Sequence, residues 1–174
     1  MGAIPGACDY DYLIVGAGII GCAIARELVR SPVRVGVVEQ AWDVGEGASK
    51  ANSSLLHTGF DAKPGTWEAR LVTEGWRLWQ QEAPELGVPI IRTGAVMLAL
   101  DEEQAQELER WRRNAFDNGV TDVELLTRDQ VLALAPAANP AVVRGLLVPR
   151  ESVTCTFTAT VALAEQAAVN GAVF

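Results

Sequence analysis

A short glycine-rich turn near the amino terminus restricts the fold of this chain more than any other feature. The turn, residues 16–21 (GAGIIG), follows the apolar stretch 12–15, which has the length of a buried strand. Residues 19–30 have helical periodicity, and a second β-rich stretch, 33–39, comes after them. Two parallel strands joined by a crossover helix form a right-handed βαβ unit. We therefore predict an α/β, Rossmann-like fold for this region.

Each residue of this fingerprint has a physical task. Gly16 permits the tight turn, Gly18 lets the backbone approach a pyrophosphate, and Gly21 lets helix and strand pack closely. The start of the helix offers free N–H groups to phosphates. Glu39, at the end of the second strand, is placed to accept hydrogen bonds from ribose hydroxyls and would repel a 2′-phosphate. A glycine turn that binds nothing is the alternative, but the complete strand–turn–helix–acid context favours a dinucleotide site.

The helix after the turn carries apolar residues at helical spacing. Ile20, Ile24, Ala25 and Leu28 are predicted to share one face. Cys22, within the same apolar stretch, is interpreted as a small buried residue.

A long irregular segment, residues 41–64, follows Glu39 and is rich in small and hydrogen-bonding residues. A nicotinamide-binding domain usually returns quickly to helix and sheet, whereas small side chains let a backbone run beside an extended cofactor. Loops of this length within compact domains are usually functional. A flexible surface loop is the alternative. Leu55, Leu56 and Phe60 argue against it, because they are expected to be buried.

The rest of the chain alternates between helical and extended patterns. A capping box, Thr127 with Gln130, starts one short helix, and Asp101 caps a longer one. Pro84 and Gly87 are expected to end the helix before them. Helices are predicted at 66–81, 101–118, 127–134 and 156–170, and strands at 90–100 (irregular at Thr93-Gly94), 123–126, 142–148 and from 172 onward.

The chain ends one strand into a further βα step. A doubly wound sheet needs more parallel strands to cover its faces. We therefore expect an incomplete chain, which on its own would be poorly soluble and would show no turnover because its sheet has an open edge.

Composition excludes several classes of function. The net charge of −8 argues against sequence-independent nucleic-acid binding. The apolar stretches are too short for an integral membrane segment, and the start of the chain lacks the pattern of a signal peptide. Three cysteines without a CxxC motif, Cys8, Cys22 and Cys155, fit a reducing compartment. We predict a cytoplasmic protein, with peripheral membrane association left open.

With one histidine, no multi-histidine metal site is expected from this chain.

Three segments together carry a family resemblance: GAGIIG, VVEQ and GASKANSSLLHTGFDAKPGT. They resemble the D-amino acid oxidase superfamily of FAD-dependent oxidoreductases, and most of all its glycerol-3-phosphate dehydrogenase/oxidase and L-2-hydroxyglutarate dehydrogenase branch. The resemblance implies an FAD-binding domain interleaved with a mixed-sheet substrate domain. It divides the chain into a first FAD-binding part, 1–89, a first part of the substrate or cap domain, 90–150, and a truncated return to the FAD-binding domain, 151–174.

The same resemblance implies site residues. Ser53 and His57 are expected where the chain passes the isoalloxazine ring and the substrate, and His57 is the candidate general base. A histidine bonded to neighbouring backbone, with no catalytic role, is the alternative. The expected cofactor-binding residues are Gly16, Gly18, Ile20, Gly21, Glu39, Ser49, Lys50, Asn52 and Ser53.

The expected function is that of an FAD-dependent enzyme. The full-length protein would transfer a hydride from a small anionic hydroxy compound, of the glycerol 3-phosphate or 2-hydroxy acid type, to FAD. Its partners would be this small-molecule substrate and an electron acceptor, which is oxygen, a quinone or another compound. The alternatives are an amine or amino-acid oxidase of the same superfamily, a non-catalytic truncated flavin-binding fragment, and an NAD-dependent dehydrogenase.

Overall fold

The computed structural model describes residues 9–174, so the interpretations of Cys8 and of the chain start lie outside the described residues. In chain order the elements are β1 (Tyr12–Val15), α1 (Ile19–Leu28), β2 (Val35–Val38), β3 (Leu55–Leu56), α2 (Trp67–Glu85), β4 (Ile90–Ile91), β5 (Ala95–Ala99), α3 (Glu102–Asp117), β6 (Glu124–Thr127), α4 (Arg128–Leu134), β7 (Arg144–Val148), β8 (Ser152–Thr154) and α5 (Thr156–Val169).

The chain forms two compact units. The first unit comprises residues 9–54, 83–89 and 155–174, and the second unit comprises 55–82 and 90–154. The assignment of parts of the chain to an FAD-binding and a substrate domain stays a prediction.

The first unit is built on parallel strands. β1 pairs with β2 in parallel, with Tyr12 opposite Val35 and Val15 opposite Val38. Val173 adds a parallel bridge to Gly36 on the other edge of β2. The βαβ prediction is confirmed, and the chain turns to extended structure at Val173 as expected.

The buried face of α1 differs from the prediction. Cys22 and Ala25 are fully buried in the core of the first unit, and Leu28 packs against that core. Ile20 and Ile24 are 73% and 47% exposed, so the prediction that they share the packing face is wrong. The buried stripe follows a spacing of three residues from Cys22, which turns Ile20 and Ile24 away from the core.

The second unit contains two three-stranded sheets. Their orders are β3-β8-β4 and β5-β7-β6, and every pairing among their described residues is antiparallel. Strand β3 falls in the segment predicted to be irregular, and β8 falls in a stretch for which no element was predicted. The predicted 90–100 strand is interrupted at Thr93-Gly94 as expected, and its two halves belong to different sheets.

Helix starts and ends follow local chemistry, with one exception. The Asp101 carboxylate accepts a hydrogen bond from the Gln104 N–H, and the Thr127–Gln130 capping box is formed as predicted. Helix α2, however, passes Pro84 and ends at Glu85, so the prediction that Pro84 breaks it is wrong.

The loop between β3 and α2 is anchored on α3. Asn114 and Asn118 each donate two side-chain hydrogen bonds to backbone carbonyls of residues 59–62, at 2.7–2.8 Å. Phe60 is buried in the core beneath, as expected, but Leu55 is 43% exposed and the expectation of its burial is wrong. Strand β3 lies at the edge of its sheet, which leaves one flank of Leu55 uncovered.

Candidate functional site

The glycine turn of the first unit has the geometry that its glycines permit. Gly16 has φ +101°, a conformation that residues with a Cβ rarely adopt. A Cβ on Gly21 would overlap the carbonyl oxygen of Gly16, so Gly21 is required for the approach of α1 to the turn. Gly18 is the N-cap of α1, and a Cβ there would lie 3.2 Å from the Ser49 hydroxyl oxygen.

Glu39 lies against the turn. Its Oε2 accepts a hydrogen bond from the Ala17 N–H at 2.7 Å, and its Oε1 accepts one from the Ala41 N–H at 2.9 Å. The Ala17 bond first, and then the Ala41 bond, hold the pKa of Glu39 below its ordinary value. A carboxylate has acceptor capacity for about four hydrogens, so lone pairs remain for ribose hydroxyls. The ionised Glu39 both braces the turn and presents negative charge beside it.

Ser49 connects the irregular segment to the start of α1. Its hydroxyl oxygen accepts a hydrogen bond from the Ile19 N–H at 2.9 Å, which satisfies one of the free amides of the helix start. A further contact from the same segment is the Gly45 N–H, which donates to the carbonyl oxygen of Ala17 at 2.9 Å. The segment is therefore tied to the turn at two points.

Thr156, the first residue of α5, fixes the other side of the segment and was missed by the sequence analysis. Its hydroxyl donates to the Ser49 carbonyl oxygen and accepts from the Asn52 side chain, both at 2.7 Å. Asn52 also donates to the Ala48 carbonyl oxygen at 2.9 Å. No local signal marks Thr156, because these partners lie more than 100 residues away in sequence.

A cavity of about 290 Å³ opens at the start of α1, lined by Gly18, Ile19, Ile20, Ala48, Ser49, Asn52 and Thr156. It brings together four of the predicted cofactor residues. Ile20, whose side chain is 73% exposed, supplies an apolar wall there. A larger hollow of about 460 Å³ lies in the second unit, beside Trp67 and Asn118, and no predicted site residue lines it.

The residues of this cavity fit a dinucleotide. A helix start without a side chain at Gly18 leaves room for a phosphate beside backbone N–H groups. Serine and asparagine side chains provide hydrogen-bonding groups along the cavity. The ionised Glu39 disfavours a 2′-phosphate.

Two predicted cofactor residues, Lys50 and Ser53, are not among the residues that line this cavity. Lys50 forms an ion pair with Glu46, four residues earlier, and its side chain is 43% exposed. Ser53 is exposed, and it precedes Ser54, which has φ +59°. The Ser54 N–H is held by the Asn52 side-chain oxygen at 2.8 Å. The roles of Lys50 and Ser53 remain predictions.

His57 lies in the second unit, directly after β3. Its Nδ1 is 3.1 Å from Oε2 of Glu151, and its side chain is 45% exposed. The Glu151 carboxylate is buried and was not singled out from the sequence. The partner in this contact is a side chain and not a backbone group, and the catalytic role of His57 and the structural alternative both stay predictions.

The described residues, 9–174, contain neither a helix suited to cross a membrane nor a cluster suited to hold a metal ion. No helix among them has the length and apolar character needed to cross a bilayer. Nor does this part of the chain gather three or more histidine, cysteine or acidic side chains in a way that could hold a metal ion.

Comparison with known proteins points to one family. The model of the family described as FAD dependent oxidoreductase matches residues 11–174. A glycerol 3-phosphate dehydrogenase from Caloramator mitchellensis is 36% identical over 162 residues, which is 93% of this chain and 34% of that protein. A mitochondrial L-2-hydroxyglutarate dehydrogenase from Dictyostelium discoideum is 33% identical over 133 residues, covering 75% of this chain and 30% of that protein.

A solved structure matches in three dimensions as well. It is the dithionite-reduced L-α-glycerophosphate oxidase of Mycoplasma pneumoniae with FAD bound, at a TM-score of 0.91 and 31% identity. The match covers 94% of this chain and 44% of that one. The chain thus spans about a third of the length of its curated relatives.

Proposed function

The chain belongs to the family of FAD-dependent oxidoreductases, and from that premise we propose that the full-length protein oxidises a small anionic hydroxy compound by hydride transfer to FAD. The family membership confirms the resemblance carried by the sequence motifs, and with it FAD over NAD as the cofactor class. The observation that carries the substrate class is the likeness, over nearly the whole chain, to a glycerol 3-phosphate dehydrogenase. Glycerol 3-phosphate and 2-hydroxy acids are therefore the favoured substrates.

The first unit is the proposed flavin-binding part. The free N–H groups at the start of α1 would bind the pyrophosphate, and Glu39 would accept hydrogen bonds from the adenosine ribose. Ile20, Ser49 and Asn52 would contact the cofactor within the cavity. FAD, when bound, supplies the acceptor for the hydride, and the protein supplies position and electrostatics. The substrate or cap domain is proposed to comprise residues 90–150, all of which lie in the second unit.

His57 is the proposed proton acceptor. Oxidising an alcohol requires the hydroxyl proton to leave, and an imidazole suits that task near neutral pH. Two observations support the role: the side chain is 45% exposed, and its Nδ1 edge is held by a buried carboxylate. An electron acceptor, which is oxygen, a quinone or another compound, would reoxidise the flavin, and a cytoplasmic location is part of the proposal.

The proposed pyrophosphate site at the start of α1 is tested by Gly18→Val. The new side chain would occupy the phosphate position and displace the Ser49 hydroxyl from the Ile19 N–H, since even a Cβ comes within 3.2 Å of Ser49 Oγ. We expect the purified full-length variant to lose its bound FAD, measured by releasing and identifying the flavin after denaturation. The matched control is Gly47→Val, because a Cβ at Gly47 meets no atom within 4 Å. Equal flavin content in Gly18→Val and wild type would refute the role of Gly18.

Dye-linked oxidation assays test the substrate class. The full-length protein is expected to reduce an artificial acceptor with glycerol 3-phosphate or L-2-hydroxyglutarate and to be inactive with glycine or D-alanine. Activity with the amino acids alone would instead assign the protein to the amine-oxidising members of the superfamily. A protein without bound flavin and active only with NAD would contradict the proposal as a whole.

A further inference from the structure

Glu151 is a buried carboxylate that contacts His57, and the proposed function assigns it no role of its own. It lies in the turn between β7 and β8, and only 2% of the residue is exposed. A buried charge is costly unless hydrogen bonds compensate for the lost water. Oε1 of Glu151 accepts hydrogen bonds from the Thr58 N–H at 2.6 Å and the Thr58 hydroxyl at 2.8 Å, and its Oε2 lies 3.1 Å from Nδ1 of His57.

These contacts bear on where the hydrogen on His57 lies. An ionised carboxylate only accepts hydrogen bonds, so beside an ionised Glu151 the hydrogen between the two groups would belong to Nδ1 of His57. A neutral imidazole carries one N–H, which leaves the lone pair on Nε2. Nδ1 faces a buried group and 45% of the side chain is exposed, so a reactant would meet the ring at its other nitrogen, Nε2.

Neighbouring residues hold the Glu151 carboxylate and its backbone in place. Thr58 is 3% exposed and donates twice to the same oxygen, which fixes the carboxylate plane. The backbone of Glu151 is held as well, because its carbonyl oxygen accepts the Gly94 N–H at 2.9 Å. Strand β8, which begins at Ser152, pairs with β3, which ends at Leu56, so the two sides of the contact are joined by a sheet.

We propose that Glu151 is a positioning residue that fixes the tautomer and orientation of His57, so that Nε2 accepts the proton of the substrate hydroxyl. In that step the substrate O–H bond would break as an Nε2–H bond forms, and the C–H bond on the same carbon would break as its hydrogen leaves as hydride, which leaves a carbonyl product. Bound FAD would supply the acceptor for the hydride. The Glu151 carboxylate then faces the positively charged imidazolium and stabilises it. The inference rests on the proposed function for the base role, but the tautomer is a property of this chain alone.

The substitution Glu151→Gln tests the inference by reversing one hydrogen bond. The amide oxygen would take the two Thr58 donors, which turns the amide NH₂ toward His57 and makes Nδ1 an acceptor. We therefore expect His57 to change from the Nδ1–H to the Nε2–H tautomer. The measurement is nitrogen NMR of histidine-labelled full-length protein, with the His57 signal identified by its loss in His57→Ala.

Flavin reduction provides the second readout. Glu151→Gln should retain FAD but reduce it roughly 10- to 100-fold more slowly, the scale known for carboxylates that orient metal-bound imidazoles. Glu124→Gln, at an exposed position of β6, is the matched control and should change neither readout. Thr58→Val keeps the His57–Glu151 contact and should keep the Nδ1–H tautomer.

Each outcome decides one claim. An unchanged tautomer with an unchanged rate in Glu151→Gln would overturn the positioning role. If that variant fails to fold, the wild-type spectrum decides alone: an Nε2–H tautomer of His57 would overturn the inference, and an Nδ1–H tautomer supports it. If instead the tautomer changes but His57→Ala reduces flavin at the wild-type rate, the base role of the proposed function fails and the orienting contact stands.

Discussion

Glu39 braces the glycine turn and is proposed to bind the cofactor ribose with the same carboxylate. The sequence pattern assigns it to the ribose of a dinucleotide, and the structure adds hydrogen bonds to the Ala17 and Ala41 amides. Ala17 belongs to the glycine turn itself, so the residue that would read the cofactor also holds the turn in shape.

This bracing has a pH dependence. Because the pKa of Glu39 is lowered in the folded protein, its contribution to stability is complete above its ordinary value of 4.5. The contribution is lost as the pH falls below 4.5 through the folded-state value. We expect Glu39→Gln to lower the urea midpoint of the cofactor-free protein at neutral pH, and the difference from wild type to shrink in acid. Glu124→Gln, at an exposed site, serves as control, and a pH-independent difference for Glu39→Gln would contradict the bracing.

His57 is the residue on which the chemical part of the proposal depends. We expect His57→Ala to retain FAD but to reduce it roughly a hundredfold more slowly or worse, the usual scale for a lost general base. Stopped-flow measurement of flavin reduction by glycerol 3-phosphate gives the rate. A wild-type rate in the variant would make His57 a structural residue.

Residue-scale prediction was limited by sequence separation. Gly16, Gly18 and Gly21 could be assigned tasks because the turn is local, and the same holds for Asp101 as a helix cap. Glu151 and Thr156 were missed because their partners lie 93 to 107 residues away. Nothing in the residues beside them distinguishes them from ordinary loop and helix-start residues.

At the scale of elements too, structure that depends on local residues could be predicted, and structure that depends on distant partners could not. The βαβ unit, α3 and α4 follow from periodicity and capping groups within a few residues. Strands β3 and β8 have only two and three residues and exist because they pair with each other across the chain. No period can be recognised in stretches that short. Pro84 falls in the last turn of α2, where the helix ends one residue later.

Two glycines of the second unit give a matched test of backbone propensity. Gly75 lies inside α2 and Gly119 follows α3 with φ +78°, and a Cβ on either meets no atom within 4 Å. Gly75→Ala should stabilise the protein by about 0.5–1 kcal/mol, because alanine loses less backbone entropy in a helix. Gly119→Ala should destabilise it, because its conformation is strained for a residue with a Cβ. Urea unfolding measures both. A destabilising Gly75→Ala would contradict the helix assignment.

At the scale of the whole molecule, the chain covers about a third of the length of the curated relatives it matches. Its first unit contains the cavity at the start of α1, and its second unit contains the His57–Glu151 pair. The roles proposed for the cavity and for the pair rest on membership of the family, and they concern the full-length protein.

One measurement tests the central claim most directly: the visible spectrum of the full-length protein, recorded without oxygen before and after addition of glycerol 3-phosphate or L-2-hydroxyglutarate. The account predicts a yellow protein whose oxidised-flavin absorbance is bleached by at least one of these hydroxy compounds and is left unchanged by glycine. A colourless protein, or a flavin that only the amino acid bleaches, would contradict it.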